Sequence, residues 1–242
     1  MKFIDWVKVG TLFLVIVAGS GCNKSDPPVI SSTVLLNTSY NVDDHSLIFD
    51  SLMYVNAAGN LYSLNRLEYY ISGITLLKES GDSIRFDSIF YIDAQTLNTN
   101  SFSLKDVPVG NYIGMTFHLG LRPDQNVSNS LPATSENVNM AWPDPMGGGY
   151  HFMKMEGHVK DSVSSQGYAV HLGNNMNLVT CVILHPFKIE KAYENIDLAM
   201  NINEWYSNPY TYDLLLDGNY TMGSMALMSK ISKNGADVFT FK

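Results

Sequence analysis

Basic residues are scarce in this chain. Its 242 residues hold 15 Lys and Arg against 23 Asp and Glu, a formal net charge of -8, and nowhere do the basic residues form a run. Binding to phosphate backbones rests on clustered Lys and Arg, so nucleic acid is excluded as a partner. Cysteine is scarcer, with Cys22 and Cys181 alone, too few for a disulfide-stapled scaffold. No hydrophobic run reaches the ~20 residues that a membrane-spanning helix needs. Compact enzyme signatures are also missing: there is no G-x-S-x-G elbow, P-loop, H-E-x-x-H helix or paired-cysteine zinc motif. The adjacent acids Asp43 and Asp44 fall in an expected loop and offer no glycosidase spacing. No repeat of solenoid length occurs. These absences point to a protein that binds rather than catalyses.

What is present begins with a processing signal. Lys2 and Lys8 give a basic start, Leu12 to Ala18 a short apolar run, and Gly19, Ser20 and Gly21 lead into Cys22. This is the layout of a lipoprotein signal peptide over residues 1–21, with lipid carried by the Cys22 thiol and tethering the protein to a membrane. Residues 22–30 are polar and proline-containing and read as a flexible tether. Within them, Ser25 and Asp26 resemble the acidic export signal of surface lipoproteins. The expected location is the cell envelope, lipid-anchored at the outer membrane and facing either the periplasm or the exterior. Cys181, left without a partner in the apolar run Leu178 to Leu184, reads as a buried, inert thiol.

From Ser31 onwards, period-two alternation and turn chemistry dominate, which predicts one all-β domain, an antiparallel β-sandwich, over residues 31–242. Strands are expected at residues 33–37, 46–54, 67–78, 84–92, 112–119, 150–159, 168–172, 178–187 and 195–202. Turn-forming residues separate them at 56–60, 80–82, 108–111 and 173–175. Residues 124–149 form a long Gly/Pro-rich loop with Pro132, Pro143, Pro145 and three consecutive glycines, and loops of that length are often functional. Met225, Met228 and Ile231 at helical spacing predict one short C-terminal helix over 222–233, with Thr221 as N-cap and Gly235 beyond its end.

Several segments occur in a fixed order: Tyr54-Val55-Asn56-Ala57-Ala58-Gly59, Arg66-Leu67-Glu68-Tyr69-Tyr70-Ile71-Ser72, Tyr91-Ile92-Asp93-Ala94 and Val107-Pro108-Val109-Gly110-Asn111-Tyr112. Phe117-His118-Leu119-Gly120, Met140-Ala141-Trp142-Pro143, Gly149-Tyr150-His151-Phe152-Met153-Lys154-Met155-Glu156-Gly157 and Tyr168-Ala169-Val170-His171-Leu172-Gly173 follow. In this order they resemble the MbnP-like family, over nearly the whole chain after Ser31. The resemblance implies a periplasmic or surface copper-binding β-sandwich. It implies copper held by histidines and, in some members, by a tryptophan that a dihaem partner enzyme oxidises to kynurenine. By motif, Trp142 is the counterpart of the family's tryptophan segment and His171 of its His-x-Gly strand end. The chain departs from methanotroph members in continuing Pro143-Asp144-Pro145-Met146 where they show a second tryptophan.

Imidazole suits copper in both biological oxidation states and thioether the reduced one, so the histidines are the candidate ligands: His171, His151 and His118, with Trp142. His171 shares its strand face with Ala169 and Gly173, small neighbours that leave room for an approach. Alternation assigns His151 to one face with Met153 and Met155, and Tyr150, Phe152, Lys154, Glu156 and His158 to the other. His118 is expected on the Tyr112, Gly114 and Thr116 face, opposite Ile113, Met115, Phe117 and Leu119. Glu156 either pairs with Arg66 or Lys154 or orients a ligand histidine, and Tyr150 is its companion in that supporting role. His45, His158 and His185 read as surface residues. Met222, Met225 and Met228 read as a helix face covering a sheet rather than as a copper stripe. The competing expectation is an adhesion or glycan-associated lipoprotein without metal, using exposed aromatics at Trp205, Tyr206, Tyr210 and Tyr212. Lipidation has a direct test: Cys22→Ala should abolish lipid attachment and move the protein from the membrane fraction to the soluble one. Retention of the variant in membranes would refute the assignment.

Overall fold

The computed structural model describes residues 30–242; the signal segment, Cys22 and most of the tether lie outside the described residues. Among the described residues thirteen strands follow one another. They are β1 (Ser31–Val42), β2 (His45–Ser46), β3 (Tyr54–Val55), β4 (Leu61–Lys78), β5 (Ser83–Asp93), β6 (Ser101–Pro108) and β7 (Gly110–Leu119). Next come β8 (His151–Lys160), β9 (Ser165–Gly173), β10 (Val179–Ile183), β11 (Phe187–Ile189), β12 (Tyr193–Asn201) and β13 (Phe239–Phe241). The helix α1 (Ser135–Asn139) sits in the long loop and α2 (Met225–Asn234) near the C-terminus. Among the described residues no helix is long and apolar enough to cross a membrane.

The strands form a five-stranded sheet, β13-β12-β1-β2 with β6 on β1, and an eight-stranded sheet built on β4. Their apolar faces meet as a sandwich. Tyr40 of the smaller sheet reaches Tyr69 of the larger, hydroxyl to hydroxyl at 2.9 Å, and Phe239 stands against both Tyr69 and Phe117. The β-sandwich predicted from alternation is what forms, with one parallel pairing, β1 with β12, among otherwise antiparallel ladders.

β4 positions the rest. Its 18 residues run past two neighbours in turn. Tyr69 pairs with Ile92 of β5 and Met153 of β8, whereas Ile71 pairs with Phe90 of β5 and Leu119 of β7. A strand has two sides, so β7 and β8 share the side opposite β5 and meet end to end beside Tyr70. At that junction Gly120 lies under Phe152, where a Cβ would come within 2.6 Å of the ring. The long loop leaves and returns at this junction.

Several expectations change. Residues 46–54 form no continuous strand; only short pairings occur at either end. β6 and β13 were not foreseen. The alternation of β7 shifts phase at Gly114, which lies so close to the Ile183 carbonyl that a Cβ would stand 2.2 Å from it, so Tyr112 is buried and Ile113 exposed. The C-terminal helix starts at Met225 with Ser224 as its cap, its side chain accepting from Leu227 N, because the Thr221 hydroxyl is engaged with His171. Cys181 is buried and free, and burial pushes its thiol pKa up, as expected for an inert core cysteine.

The aromatic segment proposed for adhesion is core. Trp205, Tyr206 and Tyr212 are fully buried, Tyr206 stands edge-on to Tyr62 at 5.3 Å, and only Tyr210 is exposed. The Asn234 side chain draws this segment inward by donating to the Trp205 and Tyr210 carbonyls and accepting from Tyr210 N. Trp205→Ala should therefore cost about 3–5 kcal/mol of stability in chemical denaturation, the usual range for a buried aromatic. Tyr210→Ala should cost far less, and equal small losses for both would contradict this placement.

Candidate metal centre

The long loop folds back on itself before it enters β8. Asn126 Oδ1 accepts from Tyr150 N at 2.8 Å, Ser128 Oγ accepts from Gly149 N at 2.9 Å, and the Tyr150 hydroxyl accepts from Leu131 N at 2.9 Å. Gly148 and Gly149 have φ of +67° and +83°, and a Cβ on either would collide with Ser128 or Asn126; the triple glycine supplies this tight reversal. An isolated bridge then joins Ala141 to Tyr150. This sets Trp142 over the sheet, with its indole N–H donating to the Met146 carbonyl at 3.1 Å. The ring covers Gly173, where a Cβ would come within 2.4 Å of it. The room expected beside His171 is thus the seat of Trp142.

A β-bulge decides where the histidines point. His151 pairs with Gly173 and Met153 with Leu172, so Phe152 is one residue too many on β8. Simple alternation grouped His151 with Met153 and Met155. The bulge corrects that: the two methionines enter the core, and His151 turns to the outer face with Lys154, Glu156 and His171. The rings of His151 and His171 meet edge to face, centroids 5.1 Å apart, and Trp142 stands 4.7 Å from His151.

The hydrogen bonds assign the ring nitrogens. Glu156 Oε1 lies 2.8 Å from His171 Nε2. The bond from His171, with Arg66 and Lys154 nearby, lowers the Glu156 pKa, so the ionised carboxylate accepts and Nε2 carries the proton. In neutral His171 the lone pair then resides on Nδ1, which is buried and has no hydrogen-bond partner. His151 Nδ1 lies 3.1 Å from the Met140 carbonyl, which only accepts, leaving the His151 lone pair on Nε2. Burial above all, then Lys154 and His171, pushes the His151 pKa down to about 3, so this imidazole is neutral near pH 7. Beneath the pair, Arg66 donates to both oxygens of Glu68 and to Glu156 at 3.4 Å. Asn139 donates to Glu68 at 3.2 Å and accepts from Lys154 through its carbonyl. Burial, then Arg66, lowers the Lys154 pKa.

The MbnP family model matches residues 31–223. The chain belongs to the MbnP family. The fold is similar to that of MbnP from Methylosinus trichosporium, with a TM-score of 0.54 and 16% sequence identity over 76% of this chain and 80% of that one. No curated protein matches it.

In this MbnP-family chain the structure brings together Trp142, His151, His171 and Glu156. His118 stands apart: its Nδ1 lies 3.1 Å from Thr180 Oγ1, and its ring lies over Gly73 beside Arg122. Burial, then Arg122 and Arg85, lowers its pKa. Tyr150 pins the loop through its hydroxyl instead of touching a histidine. His45 and His158 are exposed, and the ring of His185 stacks edge-on to Phe241. Among the described residues, no group of three or more His, Cys, Asp or Glu side chains is placed to hold a metal ion. The cluster offers two imidazole lone pairs beside an indole. Thr221, a helix-cap candidate by sequence, instead accepts from His171 N at 2.7 Å and donates to His171 O at 2.6 Å through its hydroxyl, fixing the strand edge that carries His171. No sequence spacing signals that contact across 50 residues.

Proposed function

We propose that this chain is an envelope-anchored copper-binding protein that holds or delivers copper, tethered through lipid on Cys22, and is not an enzyme. The observation that carries the reading is the His171 imidazole. Its Nε2–H is held by Glu156 while its Nδ1 is buried without a partner, and an orphaned buried acceptor is rare in folded proteins. A carboxylate on the far nitrogen is how metal-ligating histidines are commonly oriented. His151, kept neutral at physiological pH, supplies Nε2 as the second donor, and Trp142 closes the site above Gly173. Imidazole nitrogen is a fitting donor for copper. By family analogy, a dihaem enzyme would be the partner that acts on Trp142.

His171→Ala should lower copper affinity more than tenfold without loss of fold, since even a supporting partner of a metal ligand is worth ~10–100-fold in affinity. His185→Ala should change neither. Titration of both variants and wild type against a competing chelator, with melting curves as the fold control, tests this. Unchanged affinity in His171→Ala would overturn the proposed site.

A further inference from the structure

Three methionine-bearing stretches come together beside the edge of β9: the loop with Met146, the turn with Met222, and the start of α2 with Met225. Thr221, clasped to the His171 backbone, fixes Met222 next to the edge of β9. A Cβ built on the following Gly223 would stand 4.0 Å from the Met146 methyl, and the Met146 carbonyl is the acceptor for the Trp142 indole. On the helix side, the Asn177 amide lies 3.9 Å from Met225 Sδ and 3.8 Å from Met228 Sδ. Packing accounts for Met228, which is 2% exposed, but not for Met222 and Met225, exposed by 37% and 41%. Met146 is partly buried. Exposed thioethers gain little from solvent, yet they are soft donors that select soft, monovalent metal ions.

We propose that Met146, Met222 and Met225 form a thioether rim that takes up a soft monovalent ion, Cu(I) or Ag(I), at the surface and passes it inward beneath Trp142. Only the onward step rests on the reading of His151 and His171 as the metal pair. The rim itself stands on the approach of the Met146 methyl to Gly223, between Met222 and Met225, and on the exposure of those two thioethers. No bond is made or broken beyond exchange of the metal's donors, so the step needs no oxidant or reductant.

The test labels the methionine methyls with 13C in the purified protein and adds Ag(I), which is redox-silent, to wild type and to a His151→Ala/His171→Ala variant. Met146, Met222 and Met225 methyls should shift at equimolar Ag(I) in both proteins, while Met53, exposed elsewhere, should not. In stopped-flow transfer from a chelator, Met222→Leu/Met225→Leu should take up Cu(I) at least fivefold more slowly than wild type, with its equilibrium affinity unchanged and its melting curve intact. Rim methyls that stay still while the wild-type imidazole resonances move would overturn the rim and leave the copper reading standing. Rim methyls that move while the imidazoles stay still would support the rim and overturn the imidazole pair. Shifts in wild type that vanish in the double-histidine variant, or that Met53 shares, would also overturn the rim.

Discussion

A β-strand shows each face only every second residue, and the outer face of the larger sheet is organised by the place where β8 breaks that count. Were Phe152 paired regularly instead of bulged, His151 would fall on the core face with Met153 and Met155, and His171 would have no imidazole beside it. Phe152 can be accommodated because β7 ends there: Gly120 leaves the space that the Phe152 ring fills. The same break releases the long loop, whose return path sets Trp142 on Gly173 and lets Met140 accept from His151 through both N and Nδ1. One irregularity therefore positions the ligand candidate, its cover and the acceptor that selects its tautomer. Bulges next to functional sites commonly re-aim a side chain in this way.

Charge beneath the pair is balanced and held in place. Arg66 and Lys154 offset Glu68 and Glu156 in a half-buried lattice that also grips α1 through Asn139. Exposed ion pairs contribute little to stability; the value of this lattice lies in orientation. Arg66 and His171 keep Glu156 ionised, Glu156 keeps the His171 proton on Nε2, and Nδ1 is left available. Burial, then Lys154 and His171, keeps His151 neutral. The two imidazoles thus stand edge to face, with the charged side chains one layer below.

Much of this was legible in the sequence, because strands with one buried face write their alternation into it. β4, β5, β8 and β9 follow from that pattern, and the ordered motifs carried the family. The site was legible residue by residue but not as an arrangement. Phe152 is apolar whichever way it points, and the glycine that makes room for it lies far back in the chain, so alternation had no means of registering the bulge. The small residues beside His171 were correctly read as space, but what fills that space arrives through a loop whose course depends on side-chain bonds from Asn126 and Ser128. Trp205 and Tyr206 sit among polar residues that suggested a surface; the buried amide of Asn234 draws them into the core. The Thr221 hydroxyl looked like a helix cap because that is its commonest use, while its partner was a strand edge.

The central claim is that Glu156 and the Met140 carbonyl leave the free lone pairs on His171 Nδ1 and His151 Nε2. A long-range 1H–15N correlation spectrum of the metal-free protein reads this directly. The account predicts that His171 is protonated on Nε2 and His151 on Nδ1, and that one equivalent of Cu(I) shifts His171 Nδ1 and His151 Nε2 while His118 stays unchanged. His171 protonated on Nδ1, or Cu(I) shifting His118 instead of this pair, would contradict it.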